Sequence, residues 1–275
     1  MSLIRLLILI TALTLSGCSP EEPSTSSNAG FAGLGQDADG FLHAEPSQRL
    51  TFPTDHAAHP DYRIEWWYLT ANLEDADGEP LGLQWTLFRQ ALMPPSERPT
   101  PTPWAADQLW MAHMAISQGE QHRVVERFGR SHSQAEAITP QQSQAGATAS
   151  PFHAWLSLFA EGPLVLHGIQ GFSQKAANGQ GSMYYSQPFW QITGNVTLNG
   201  ETKTVSGRGW LDREWSSQLL DARQSGWDWF SIHLDDGHKL MAFQLRGGGD
   251  GEEGSDYRSG TWITPQGQTT SLTNA

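Results

Sequence analysis

The chain's apolar residues come in short runs, each cut off by a turn signal, and few keep a helical period long enough to build a helix. Residues 62–73 and 81–89 flank Asp77-Gly78, and two alternating runs around such a turn predict a β-hairpin. Further strands are predicted over 109–117, 122–128, 153–160, 163–169, 191–198, 203–210, 226–235 and 238–246, the last two joined across Asp236-Gly237. With 28 Gly and 16 Pro supplying turns, the pattern is that of an all-β barrel or sandwich. A Pro-rich stretch at 94–103 predicts a long surface loop or lid, and the polar Ala/Gln-rich stretch at 131–151 a loop or short helix. The acidic, Gly-rich run at 247–254 reads as a hairpin tip. Pro188, ahead of Phe189-Trp190, divides the chain into two β units, 51–188 and 189–275.

The N-terminus sets the compartment. Arg5, the apolar run 6–15 and the small residues Ser16-Gly17 have the order of a secretory signal over residues 1–17, too short to span a bilayer. Its Leu-Ser-Gly-Cys ending marks Cys18 for lipid attachment; as the only cysteine, Cys18 leaves no intramolecular disulfide to form. Residues 18–50 are then the lipidated cysteine and a flexible tether, rich in Pro, Ser and Glu that offer little to bury. Ser19, where an Asp would favour retention in the inner membrane, points to the outer membrane with the globular part facing the periplasm. A net charge of -13 without a Lys/Arg cluster argues against nucleic acid as a partner and against a polybasic membrane footing. Membrane attachment therefore falls to the lipid.

Trp occurs 12 times. Large aromatics are more often packed than exposed, yet clustered Trp also walls apolar cavities that hold a few polar points. Three Trp-rich segments carry the candidate chemistry. In Glu65-Trp66-Trp67-Tyr68, strand alternation puts Arg63, Glu65 and Trp67 on one face, where Glu65 is either a general acid or half of an Arg63–Glu65 pair. In 209–216, Trp210, Asp212, Glu214 and Ser216 share a face opposite Leu211, Arg213 and Trp215. Two carboxylates on one side of a strand lift a pKa, an acid/base arrangement provided that no bulge interrupts the segment. In 226–234, His233 shares a face with Trp227 and Trp229 and could relay a proton, although an isolated His in an aromatic strand is more often structural. No metal is expected: His56, His59 and Asp61 lack a ligand spacing, and no dinucleotide or phosphate motif appears.

Together, Ile64-Glu65-Trp66-Trp67-Tyr68, Gln84-Trp85-Thr86-Leu87-Phe88-Arg89, Trp110-Met111-Ala112-His113, Trp210–Ser216 and Gly226-Trp227-Asp228-Trp229-Phe230 resemble the AttH-like proteins of the carotenoid 1,2-hydratase (hydroxyneurosporene synthase) superfamily. The resemblance implies two lipocalin-like antiparallel β-barrels, the second incomplete because the chain stops at Ala275. It also implies association with an ABC transporter, and no cofactor. Its hydratase members add water to a terminal C=C bond of an acyclic carotenoid, for which Asp212, Glu214, Glu65 and His233 are the candidate acids and bases. Trp66, Trp67, Trp85, Trp210, Trp215, Trp227, Trp229 and Gln244 are the candidate ligand-binding residues. The hydratases carry His where this chain has Leu211 and Arg213, which ranks a lipoprotein binding an apolar lipid or isoprenoid ahead of a hydratase.

Overall fold

The computed structural model describes residues 38–100, 105–131, 152–218, 220, 224–247 and 256–272. Cys18, the tether up to residue 37, most of the 131–151 stretch and most of the 247–254 tip lie outside the described residues. The strands are β1 (Ile64–Asp75), β2 (Pro80–Ala91), β3 (Gln108–Gln118), β4 (Gln121–Ser131), β5 (Phe152–Ala160), β6 (Val165–Leu166) and β7 (Phe172–Gln174). They continue as β8 (Gly181–Leu198), β9 (Glu201–Ser216), β10 (Gln224–His233), β11 (Lys239–Gly247), β12 (Tyr257–Ile263) and β13 (Thr269–Ser271). No helix among the described residues is long and apolar enough to cross a membrane.

The first sheet runs β4-β3-β2-β1-β9-β8-β5, with β6 and β7 also paired to β8; the second runs β10-β11-β12-β13. The all-β expectation holds, but the two lipocalin-like barrels do not: neither sheet closes. β4 and β5 are the unjoined edges of the first sheet, and the second is an open four-stranded sheet. The sequence misleads here for a physical reason. Alternation reports that a strand has one buried face, and a curled open sheet buries that face as a barrel does. The curl is visible in the packing, because Val125 of β4 and Phe152 of β5 join one cluster with Leu73, Leu83, Ile116 and Ile192 on the concave face.

Two long strands organise the fold. β8 and β9 form a hairpin closed by Asn199-Gly200, both with positive φ (56° and 83°), the backbone that a two-residue turn between twisted strands requires. β9 takes one flank of β8 along its length, while β7, β6 and β5 share the other. Pro188 has no N–H for the ladder, and the register of β8 on β9 shifts there, between Gln187 and Trp190. The side-chain oxygen of Gln187 accepts the Phe189 N–H at 3.1 Å. Position 188 thus lies inside a strand. On the convex face, Ile64, Tyr184 and Trp210 of the first sheet pack with Met241, Phe243 and Ile263 of the second, a contact at which each fully buried side chain contributes about 1.5–3 kcal/mol.

Candidate functional site

β1, β8 and β9 carry buried polar clusters on both faces. Register puts Tyr68 opposite Asp212 and Ser186 opposite Asp212, so these three face the second sheet together with Trp210, Tyr184 and Glu214. The shift in register at 187–190 falls on β8, across from Trp210, and the alternation of β9 from Trp210 to Ser216 stays unbroken against β1.

Asp212 is 3 % exposed. Its Oδ1 accepts three hydrogen bonds: from the Tyr184 hydroxyl (2.7 Å), from Trp210 Nε1 (3.0 Å) and from Ser186 Oγ. Its Oδ2 has no hydrogen-bond partner. Burial pushes the Asp212 carboxyl up to about 7; the three donors pull the other way, and the Glu214 charge adds to the rise. With Oδ1 saturated by donors, the proton belongs on Oδ2. Glu214 is held differently, at 2.8 Å from Lys175 Nζ and bonded by Ser182 Oγ. The two carboxyl groups on one face are therefore unlike, one ion-paired and one protonated near neutrality.

The surroundings of Asp212 include residues that the sequence analysis did not single out, His167, Tyr184, Ser186 and Thr261. His167 is fully buried, its Nε2 2.7 Å from Ser186 Oγ and its Nδ1 2.9 Å from Thr261 Oγ1 on β12. Gly168 places it: with φ +62°, a Cβ there would stand 2.1 Å from the Phe172 carbonyl oxygen, so only glycine fits the turn that follows the imidazole. Tyr184 lies ring to ring with His167 at 4.2 Å, and its hydroxyl accepts a hydrogen bond from Trp229 Nε1 at 3.1 Å. Burial, then the Asp212 and Glu214 charges, pushes the Tyr184 phenol well up, so it acts only as a hydrogen-bond donor and acceptor.

Glu65 faces the other way. It is fully buried and bonded by Arg89 Nε (2.9 Å), Arg213 Nη2, and both the main-chain N–H (2.9 Å) and Nδ1 (2.7 Å) of His59. Burial alone would raise its carboxyl, but the Arg213, His59 and Arg89 contacts more than offset that and hold it far below the usual carboxylate range. Its partners are Arg89 and Arg213, where the sequence suggested Arg63. The Arg213 guanidinium lies 3.7 Å from the centre of the Trp67 ring and also bonds the Ala57 carbonyl, tying β1 and β9 to the turn at Thr54–His56. His59 stacks on Trp215 at 3.8 Å.

The remaining candidates divide by face. Trp210 and Trp229 touch the Asp212 network directly. Trp66 heads a cross-strand row, Trp66–Phe88–Met111–Phe128, on the Asp212 face of β1 to β4, and the row ends in solvent at Phe128, 67 % exposed. Trp227 shares the inward face of β10 with Trp229 but is itself exposed. Trp67, Trp85 and Trp215 lie on the concave side with Glu65, Trp85 among the apolar cluster. Gln244 sits opposite Asp228 on the outer face of the second sheet and bonds Asp256 (2.9 Å), away from Asp212. His233 donates from Nε2 to the Pro188 carbonyl at 2.9 Å and neighbours Trp210 at 5.7 Å; burial lowers its pKa. His56 bonds Tyr185 (2.7 Å) and Asp61 pairs with Arg98 (3.3 Å), so they and His59 are engaged separately. Among the described residues no group of three or more metal-binding side chains occurs. Two surface hollows of about 370 and 320 Å³ are lined by polar residues around Gln180 and by residues around Arg63, and neither reaches Asp212.

The profile of the AttH-like family matches residues 43–157 and 133–275. A crystal structure of a protein assigned as AttH from Nitrosomonas europaea is similar at 35% sequence identity and a TM-score of 0.72, covering 85% of this chain and 75% of that one. Kievitone hydratase from Nectria haematococca shares the fold at 13% identity and a TM-score of 0.56, over 85% of this chain and 73% of its own. No curated protein matches the chain in sequence.

Proposed function

Because the chain belongs to the AttH-like family, we propose that it is a cofactor-independent hydro-lyase that adds water to a C=C bond of an isoprenoid or related apolar molecule. The observation that carries this reading is Asp212: a buried carboxyl protonated up to about pH 7, three donors on Oδ1 and Oδ2 free. In the reaction, Oδ2 gives its proton to one alkene carbon and water attacks the carbocation at the other. The proton that the water sheds returns to the carboxylate, so one water is consumed and the enzyme is regenerated. The charge that appears on Asp212 in mid-reaction falls on Oδ1, where Ser186, Tyr184 and Trp210 already point donors at it. The row Trp66–Phe88–Met111–Phe128 supports an apolar substrate lying along the Asp212 face. Glu65, ionised and on the opposite face, belongs to the framework of this site.

This reading places hydration above simple carriage, reversing the order drawn from the sequence. A carrier that hands an apolar molecule unchanged to an ABC transporter rests on family resemblance alone. Export and lipid attachment at Cys18 to the outer membrane are proposed from the N-terminal sequence. Purification from native membranes, extraction of bound lipid and mass analysis before and after incubation separate the two roles. A gain of one water that Asp212→Asn abolishes supports the hydro-lyase; an unchanged lipid supports the carrier.

A further inference from the structure

Thr261 reaches His167 from the second sheet, and His167 reaches Ser186 in the first. Ser186 owns one hydroxyl proton and donates it to Asp212 Oδ1. Having none left for His167, it must accept from Nε2, so Nε2 carries the imidazole proton. A neutral imidazole has a single N–H, which makes Nδ1 a lone pair that accepts the Thr261 hydroxyl proton. The imidazole is neutral because burial, helped by the Lys175 charge, pushes it down to about 3. Counting protons thus yields one consistent chain in which Thr261, His167 and Ser186 each donate toward the Asp212 carboxyl.

We propose that His167 and Thr261 are positioning residues for Asp212: the Nε2–H of His167 turns the Ser186 hydroxyl proton onto Oδ1, and Thr261, donating to Nδ1, holds the ring in that pose from the second sheet. The purpose of the chain rests on the hydro-lyase reading, while its geometry is testable without substrate. With the proton on Nδ1 instead, Nε2 would compete for the Ser186 hydroxyl and the carboxylate would lose one of three donors. The other polar and titratable groups facing Asp212 are Glu214 on β9, Tyr68 on β1, Tyr184 on β8 and Trp229 on β10, with Lys175 against Glu214. Replacing Thr261 leaves all of them in place.

The test is NMR on the full chain labelled with ¹⁵N-histidine and ¹³C-carboxyl aspartate, Asp212→Asn assigning the aspartate signal. The wild type is expected to hold His167 as the neutral Nε2–H tautomer from about pH 5 to about pH 8. In Thr261→Val the imidazole keeps its Nε2–H but loses its anchor in the second sheet, so the Ser186 donation loosens and the Asp212 midpoint should rise, by up to about one unit for the loss of one bond to a charged group. Thr261→Ser, which keeps the hydroxyl, should restore the wild-type midpoint. A wild type already in the Nδ1–H form overturns the proposal even if a variant fails to fold, and so does a folded Thr261→Val with the Asp212 midpoint unchanged. Should the tautomer be as expected and no substrate be hydrated, the enzymatic reading fails and the positioning chain stands.

Discussion

Replacing Asp212 by Asn should remove the pH dependence of stability that this residue imposes. The native carboxyl binds its proton up to about 7, against a value of 3.8 without the fold. Between these values the native state holds a proton that the unfolded chain has released, so unfolding sheds protons and stability falls as pH rises. The contribution is fully present below 3.8 and is lost as pH passes through 7, the opposite sense to an ion-paired carboxylate. A full unit of separation is worth 1.36 kcal/mol, so the wild type should lose about 2.5 kcal/mol relative to Asp212→Asn between about pH 5 and about pH 8. Asn keeps an oxygen for the Tyr184, Ser186 and Trp210 donors, and whatever its amide costs in the buried site does not vary with pH. Urea unfolding of both proteins across that range, read as the difference between them, isolates the slope. A flat difference would mean that Asp212 is already ionised at pH 5, and the general-acid argument would fail with it.

Glu65→Gln should be far more damaging, because it leaves the Arg89 and Arg213 charges buried without their shared carboxylate; about 3–5 kcal/mol is expected in denaturant melts at neutral pH. Tyr184→Phe removes one Oδ1 donor and strands Trp229 Nε1, so the Asp212 midpoint should rise by about one unit, as ¹³C titration would show. Gly168→Ala should displace His167 or unfold the turn, costing more than the roughly 1 kcal/mol of an ordinary left-handed alanine, since its Cβ meets a carbonyl oxygen; a thermal melt gives the answer.

The elements were legible where turns announce themselves. Asp77-Gly78 and Asp236-Gly237 mark hairpins that the structure contains, with positive φ at both glycines. The first half of β8 was not, because Gly181 and Pro188 punctuate it like a loop while Tyr184 and Ser186 sit between them. Half of the candidate site was hidden in this way. Alternation correctly separated Asp212 and Glu214 from Arg213 and Trp215, since side-chain period depends only on local backbone. It could not tell that Glu65 faces away from Asp212, because that requires the register of β1 on β9, a long-range pairing. His167 and Thr261 carried a faint signal, a polar residue ending or interrupting an apolar run, which gains meaning only when two sheets meet. Closure was illegible for the same reason: it is a property of edges, and no residue pattern within a strand records it.

The direct test of the central claim is incubation of the full chain with acyclic isoprenoid alkenes in ¹⁸O-labelled water, followed by mass spectrometry of the extracted lipid. The account predicts an alcohol carrying one labelled oxygen, formed by the wild type and lost in Asp212→Asn, with the rate falling as pH rises through about 7. Labelled product formed equally well by Asp212→Asn would contradict it.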